Sequence, residues 1–182
     1  MIDRVVCVGG PPGSGKSTAA RKVAEALGLE YHSAGEIFRA EARQHEMDLI
    51  AFSHFAEKHD EVDRAIDRAM LAEARPGRIL DARLAGPLCR RESISVHYLV
   101  VTATEEVRAS RLAHRDDVPL ARAQSDMQAR ELSERARYLR LYDIDLAREV
   151  GDLTVDSSHL APARVVAELI GHLDPAAASP TA

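Results

Sequence analysis

The sequence contains no asparagine, which excludes the N-K-x-D motif by which most regulatory GTPases read guanine. Cysteine is nearly absent. Cys7 and Cys89 lie far apart in the chain, so neither a zinc site nor a redox pair is indicated, and Cys7, inside an apolar run, reads as a small buried hydrophobe. Positive charge is also short. With 24 basic and 29 acidic residues the net charge is −5, without the basic balance of a nucleic-acid binder. No apolar run approaches a membrane span, and the N-terminus reads as a strand rather than a signal peptide. A cytoplasmic protein with no membrane partner is expected. Lysine is rare too: Lys16, Lys22 and Lys58 stand against 21 arginines, so a lysine at a motif position is less easily an accident.

What remains is ordinary for a soluble globular chain: 182 residues, 46% hydrophobic and 29% charged. That length suits one domain with a proper core. Within it, Gly10-Pro-Pro-Gly-Ser-Gly-Lys-Ser-Thr18 meets the phosphate-loop pattern G-x-x-x-x-G-K-[ST] at every fixed position. Glycines at Gly10, Gly13 and Gly15 let successive N–H groups, including that of Ser14, turn inward toward phosphate. A helix starting near Lys16 adds the positive end of its dipole, Lys16 a compact cation, and Ser17 a hydroxyl for Mg²⁺. The apolar run Ile2 to Val8 before the loop and the helical pattern Thr18 to Leu27 after it supply the context that the motif needs. Binding of a nucleoside triphosphate is the expectation.

Along the chain, strands are expected at Leu29–His32, Arg78–Asp81, Ser95–Val101 and Asp152–Asp156. Helices are expected at Glu36–Gln44, Asp48–Lys58, Glu61–Arg75, Thr104–His114, Pro119–Tyr142 and Ala161–Leu173. This alternation predicts a five-stranded parallel sheet between two helical layers, with ligands beyond the carboxyl ends of the strands. The glycine loop, Ser33, Asp81 and Thr102 would then share one rim. Residues 1–173 form the expected single domain, and 174–182, poor in apolar bulk, a flexible tail. Asp63 and Asp67 read as solvent-facing helix charges or as the border of an acceptor pocket. His45, His54 and His59 read as exposed polar surface, since their spacing does not stack them for a metal.

A glycine loop alone does not choose between kinase, motor and switch, but a single loop in a small domain disfavours the larger ATPase machines. Arginines then gather from Arg108 to Arg140. Phosphoryl transfer relies on cations placed around the moving group, and the planar guanidinium grips phosphate oxygens in pairs. Arg130 and Arg137, two helical turns apart, share a face. A solvated helix with pairs such as Glu131–Arg135 and Glu134–Arg137 is the competing reading.

Taken together, the glycine loop, Ser33-Ala-Gly-Glu-Ile-Phe-Arg39, Arg83-Leu-Ala-Gly86 and Arg130-Glu-Leu-Ser-Glu-Arg-Ala-Arg-Tyr138 with Tyr142 and Ile144-Asp145 resemble the short, archaeal-type cytidylate kinases. The resemblance implies a P-loop NTPase fold of the adenylate-kinase-like α/β kind, with acceptor-binding helices at about 33–75 and a lid at about 111–137. It implies transfer of the ATP γ-phosphate, with Mg²⁺, to CMP, dCMP or a related cytidylate. Lys16 would hold the moving phosphate, Ser17 the metal, and Asp81 the metal's water shell or the acceptor. The rest of the loop through Thr18, with Arg111 and Arg115, would meet ATP. Arg39 and Arg83 would clamp the acceptor phosphate, Ser33, Gly35 and Gly86 would border the acceptor, and Arg130 and Arg137 would close on the reaction centre. Ala82 and Asp143 stand where the family pattern carries glycine. A kinase of another small acceptor and a non-catalytic ATP-binding module remain open, as does a monomer or small homo-oligomer.

Overall fold

The structure, a computed structural model, describes residues 2–174. The expected tail therefore lies, beyond Asp174, outside the described residues. In β1 (Val5–Gly9), Val6 and Val8 point to one face of the sheet, Val5 and Cys7 to the other, and all four are fully buried. A strand apolar on both faces needs a helical layer on each side. The remaining strands are β2 (Glu30–Ser33), β3 (Arg78–Asp81), β4 (Val96–Thr102) and β5 (Leu153–Asp156), in the order β2-β3-β1-β4-β5 with every neighbour parallel.

On one face, α1 (Lys16–Leu27) and α8 (Pro162–Leu173) bury Ala20, Val23, Val165 and Leu169 against Val6, Val8, Leu99 and Val101. On the other, α4 (Asp60–Ala72) and α5 (Ala85–Arg91) bring Met70, Ala85 and Cys89 onto Val5, Cys7 and Tyr98. The result is the expected three-layer α/β/α arrangement. Strand register levels the carboxyl ends: Ser33 and Val8 both lie opposite Asp81, and Thr102 lies opposite Asp156. One rim therefore carries the loop, Ser33, Asp81 and Thr102.

Two helical excursions flank that rim. One is α2 (Ala34–Gln44), α3 (Leu49–Lys58) and α4; the other is the hairpin of α6 (Glu105–Asp116) and α7 (Leu120–Tyr142), which turns through Asp117 at φ 52°. The chain's three phenylalanines meet in the first excursion, with Phe38–Phe52 centroids 4.8 Å apart and Phe52–Phe55 5.8 Å apart. His59 stacks on Phe55 at 3.9 Å and the exposed His45 leans on both Phe52 and Phe55, so these two rings extend an aromatic cluster out to the surface. Expected helix ends fall within a few residues of those observed. Helix α5 is not among the elements expected from the sequence, since Gly86 and Pro87 are both poor helix formers; the proline sits in the first turn, where its missing N–H has no intrahelical partner to lose.

Candidate active site

Positive φ at Gly10 (138°), Gly13 (78°) and Gly15 (86°) bends the loop between β1 and α1 into a cradle. A Cβ on Gly10 would lie 2.0 Å from the Val101 carbonyl oxygen, so that glycine lets the loop lie against β4. Gly10 shapes the loop from behind and does not itself line the cleft. Two arginines of α6 brace the cradle. Buried Arg108 donates to the carbonyls of Pro12 and Ala103, each at 3.2 Å, and pairs with Glu131 of α7. Arg111 donates to the Ser157 hydroxyl at 2.9 Å and to the Ser157 carbonyl at 2.8 Å, while the Ser157 hydroxyl donates to the Ser14 carbonyl at 2.8 Å.

The loop opens on a cleft of about 490 Å³ between the two helical excursions. Lys16 Nζ stands 3.8 Å from Asp81 Oδ1, at the carboxyl end of β3. Burial pushes the Lys16 ammonium below its ordinary pKa, and Asp81 opposes the shift. Tyr31 donates to Asp81 Oδ2 at 2.7 Å, while Oδ1 has no hydrogen-bond donor among the described residues and is left to face Lys16. Ser17 follows in the first turn of α1 and also lines the cleft. A buried acid with one oxygen held and the other open, in the same cleft as a hydroxyl, offers oxygen donors of the kind that a hard cation such as Mg²⁺ takes beside phosphate and water.

Farther in, Glu134 of α7 is buried between two guanidiniums, with Arg130 Nε at 2.7 Å and Arg83 Nη1 at 3.1 Å. Burial alone would raise its pKa; Arg83 and Arg130 prevail and hold it down at about 2. Arg137, only 2% exposed, donates to Asp63 of α4 at 2.7 Å and to the Ser133 hydroxyl at 2.5 Å. The pairs expected along α7 are thus not the ones formed: Glu134 turns to Arg130 and Arg83, Glu131 to Arg108, and Arg135 to Asp145 at 2.8 Å. Nor is Asp63 a solvent-facing charge. It is buried, and that burial raises its pKa against the pull of Arg137.

Most residues expected at the site do line this cleft. They include Gly13 to Thr18, Ser33, Gly35 and Arg39 on one side, and Asp81 and Arg83 on its floor. Arg111, Arg115, Arg130 and Arg137 line it from the hairpin, Arg115 in a bidentate pair with its neighbour Asp116 at 2.7 and 2.8 Å. Ser33 caps α2, its hydroxyl accepting from the Glu36 N–H at 3.4 Å, so it places the helix N-terminus at the cleft. Gly35 leaves room for Arg39, whose Nη1 would lie 3.3 Å from any Cβ there. Gly86 is the exception among the residues expected to border an acceptor. It is buried under the Tyr98 ring, where a Cβ would come within 2.2 Å of Cδ2, and it packs α5 onto β4 instead of bordering the cleft. Glu134 and Ser157 were missed. Ser157 was within reach of the rim argument, standing one residue past β5; Glu134 was hidden because its partner Arg83 comes from another part of the chain.

A family model described as an AAA domain matches residues 9–133. The cytidylate kinase of Aeropyrum pernix is 46% identical over 154 residues, covering 83% of this chain and 88% of its own length. The chain belongs to the cytidylate kinase family. A second cytidylate kinase, from Halorubrum lacusprofundi, is 36% identical and covers 93% of this chain and 89% of its own length. In fold, the cytidylate kinase family member described here is similar to a gluconokinase from Sinorhizobium meliloti. The TM-score is 0.64 at 19% identity, over 96% of this chain and 93% of that one. Among the described residues no helix is long and apolar enough to cross a membrane.

Proposed function

We propose that the protein transfers the γ-phosphate of ATP to a cytidylate, CMP or dCMP, giving the diphosphate and ADP. The observation that carries this reading is the convergence on one cleft of Lys16 in its glycine cradle and of Arg83, Arg130 and Arg137 from two other segments. A module that only held ATP would not need three guanidiniums beyond the loop lysine. Charge spreads over the phosphoryl group as it moves, and fixed cations lower that barrier.

In this mechanism the backbone donors of 10–15 and Lys16 hold the triphosphate, with Arg111 and Arg115 at its outer end. Arg39 and Arg83 hold the acceptor phosphate. Ser17 and Asp81 would hold Mg²⁺, which when bound supplies positive charge at the phosphate oxygens. Arg130 and Arg137 leave Glu134 and Asp63 for the moving phosphate as the lid of about 111–137 closes. Closure also excludes water, which would otherwise compete as acceptor. The free, buried cysteines suit a reducing cytoplasm, where the protein works as a monomer or small homo-oligomer.

The test is ADP release with ATP and Mg²⁺ across CMP, dCMP, UMP and AMP. Turnover should require a nucleotide acceptor and be fastest with a cytidylate; equal inertness of all four would end the proposal.

A further inference from the structure

Helix α4 presents two acids to the cleft, Asp63 and Asp67, four residues apart and so on one face. Asp63 is engaged by Arg137, just as Asp81 faces Lys16 and Glu134 faces Arg83 and Arg130. Among the described residues Asp67 has no ion pair; the Tyr142 hydroxyl donates to its carboxylate, yet Oδ2 is screened from solvent with no hydrogen-bond partner. An acceptor left so is costly until something supplies a donor. A phosphate cannot, being negative, and the cleft's cations already serve that end. The cleft near α4 is lined by Ile66, Phe38 and Tyr138, apolar surfaces suited to the faces of a flat base.

We infer that Asp67 reads the edge of the acceptor's base, accepting a hydrogen bond from an exocyclic amino group and rejecting a base with a carbonyl there. The inference rests on the proposed function and names what sets its specificity. An ionised carboxylate only accepts hydrogen bonds. Opposite the amino group of cytosine it is satisfied; opposite the O4 of uracil two acceptors meet. A protonated carboxyl has one donor and one acceptor and can pair with either edge.

The charge state of Asp67 therefore matters. Burial raises its pKa to about 7; Asp63 on its own helix adds to the shift, while the Tyr142 hydroxyl and Arg137 from α7 oppose it. Arg39 from α2 and Arg83 from the β3–α5 turn face the same cleft. Discrimination should be strongest above pH 7 and weaken below it.

The experiment is kcat/KM for CMP, dCMP and UMP with the wild-type protein and with Asp67→Asn, whose amide offers both a donor and an acceptor. We expect the CMP-over-UMP ratio to fall about tenfold or more in the variant, with KM for ATP unchanged. In the wild type the same ratio should fall between about pH 8 and pH 6, a readout that needs no variant. An unchanged ratio in Asp67→Asn, or a loss confined to CMP against dCMP, overturns the inference while the kinase reading stands. A flat wild-type ratio across that pH range overturns it as well. A wild type inert toward every nucleotide overturns the proposed function, and this inference with it.

Discussion

At Arg137 the proposed catalytic role and a role in folding are hardest to separate. It is buried, and its partner Asp63 is a buried acid that would be left without a cation by Arg137→Ala. We expect that variant to lose about 10²–10³ in kcat with little change in KM for ATP, because the proposed contact would be made chiefly in the transition state. It should also melt at a lower temperature. Adding Asp63→Asn should recover part of the stability and none of the rate, since it removes the orphaned charge without restoring the guanidinium. Full recovery of turnover in the double variant would remove Arg137 from the reaction. Lys16→Ala should abolish most turnover and leave the fold intact, checked by kcat beside circular dichroism; a burial that already disfavours its charge means that little stability is lost with it. At this scale the loop was legible in the sequence, because adjacent residues supply its chemistry at fixed spacing. The charge network was not: Arg137 and Asp63 are 74 positions apart, and no periodicity within one helix announces such a pair.

Elements were legible where apolar residues ran together, as in β1 and β4, while α7 was legible as one long, heavily charged run. They were not where one local rule outweighed another, as in α5, whose Gly86 answers to the Tyr98 ring and whose Pro87 answers to a helix start. Asp143 shows the same conflict resolved differently. It ends α7 in the left-handed region, φ 55° and ψ 37°, its N–H donating to the Leu139 and Tyr138 carbonyls. Glycine at this point in the family pattern is thus explained by backbone shape, and aspartate is one of the few side chains that tolerate it. Asp143→Gly should stabilise the protein by about 1 kcal/mol or less, read as a rise in Tm, and leave the order of acceptors unchanged. The other departure, Ala82, buries its methyl in the core cluster with Cys7, Leu80 and Cys89.

For the whole molecule, the parallel sheet and its rim followed from alternation of strands and helices, whereas the strand order needed the coordinates. Stability at this scale leans on Glu134, which joins the floor residue Arg83 to the hairpin residue Arg130. Its folded pKa of about 2 lies below the unfolded carboxylate value, so its stabilisation is present above about pH 4 and is lost as pH falls through about 2. Glu134→Gln should therefore destabilise by about 3 kcal/mol or less at pH 7, and the gap in urea midpoint should narrow as the pH falls below about 4. A gap that does not change with pH would mean that the carboxylate's charge is not what holds Arg83 and Arg130 together. The same carboxylate has a consequence for how a catalytic cycle ends. Glu134 pairs with Arg83 and Arg130, and Asp63 with Arg137, in the nucleotide-free protein. If those guanidiniums hold phosphate as proposed, the same two acids would compete for them once the diphosphates loosen, and a grip built from so many arginines need not become a trap.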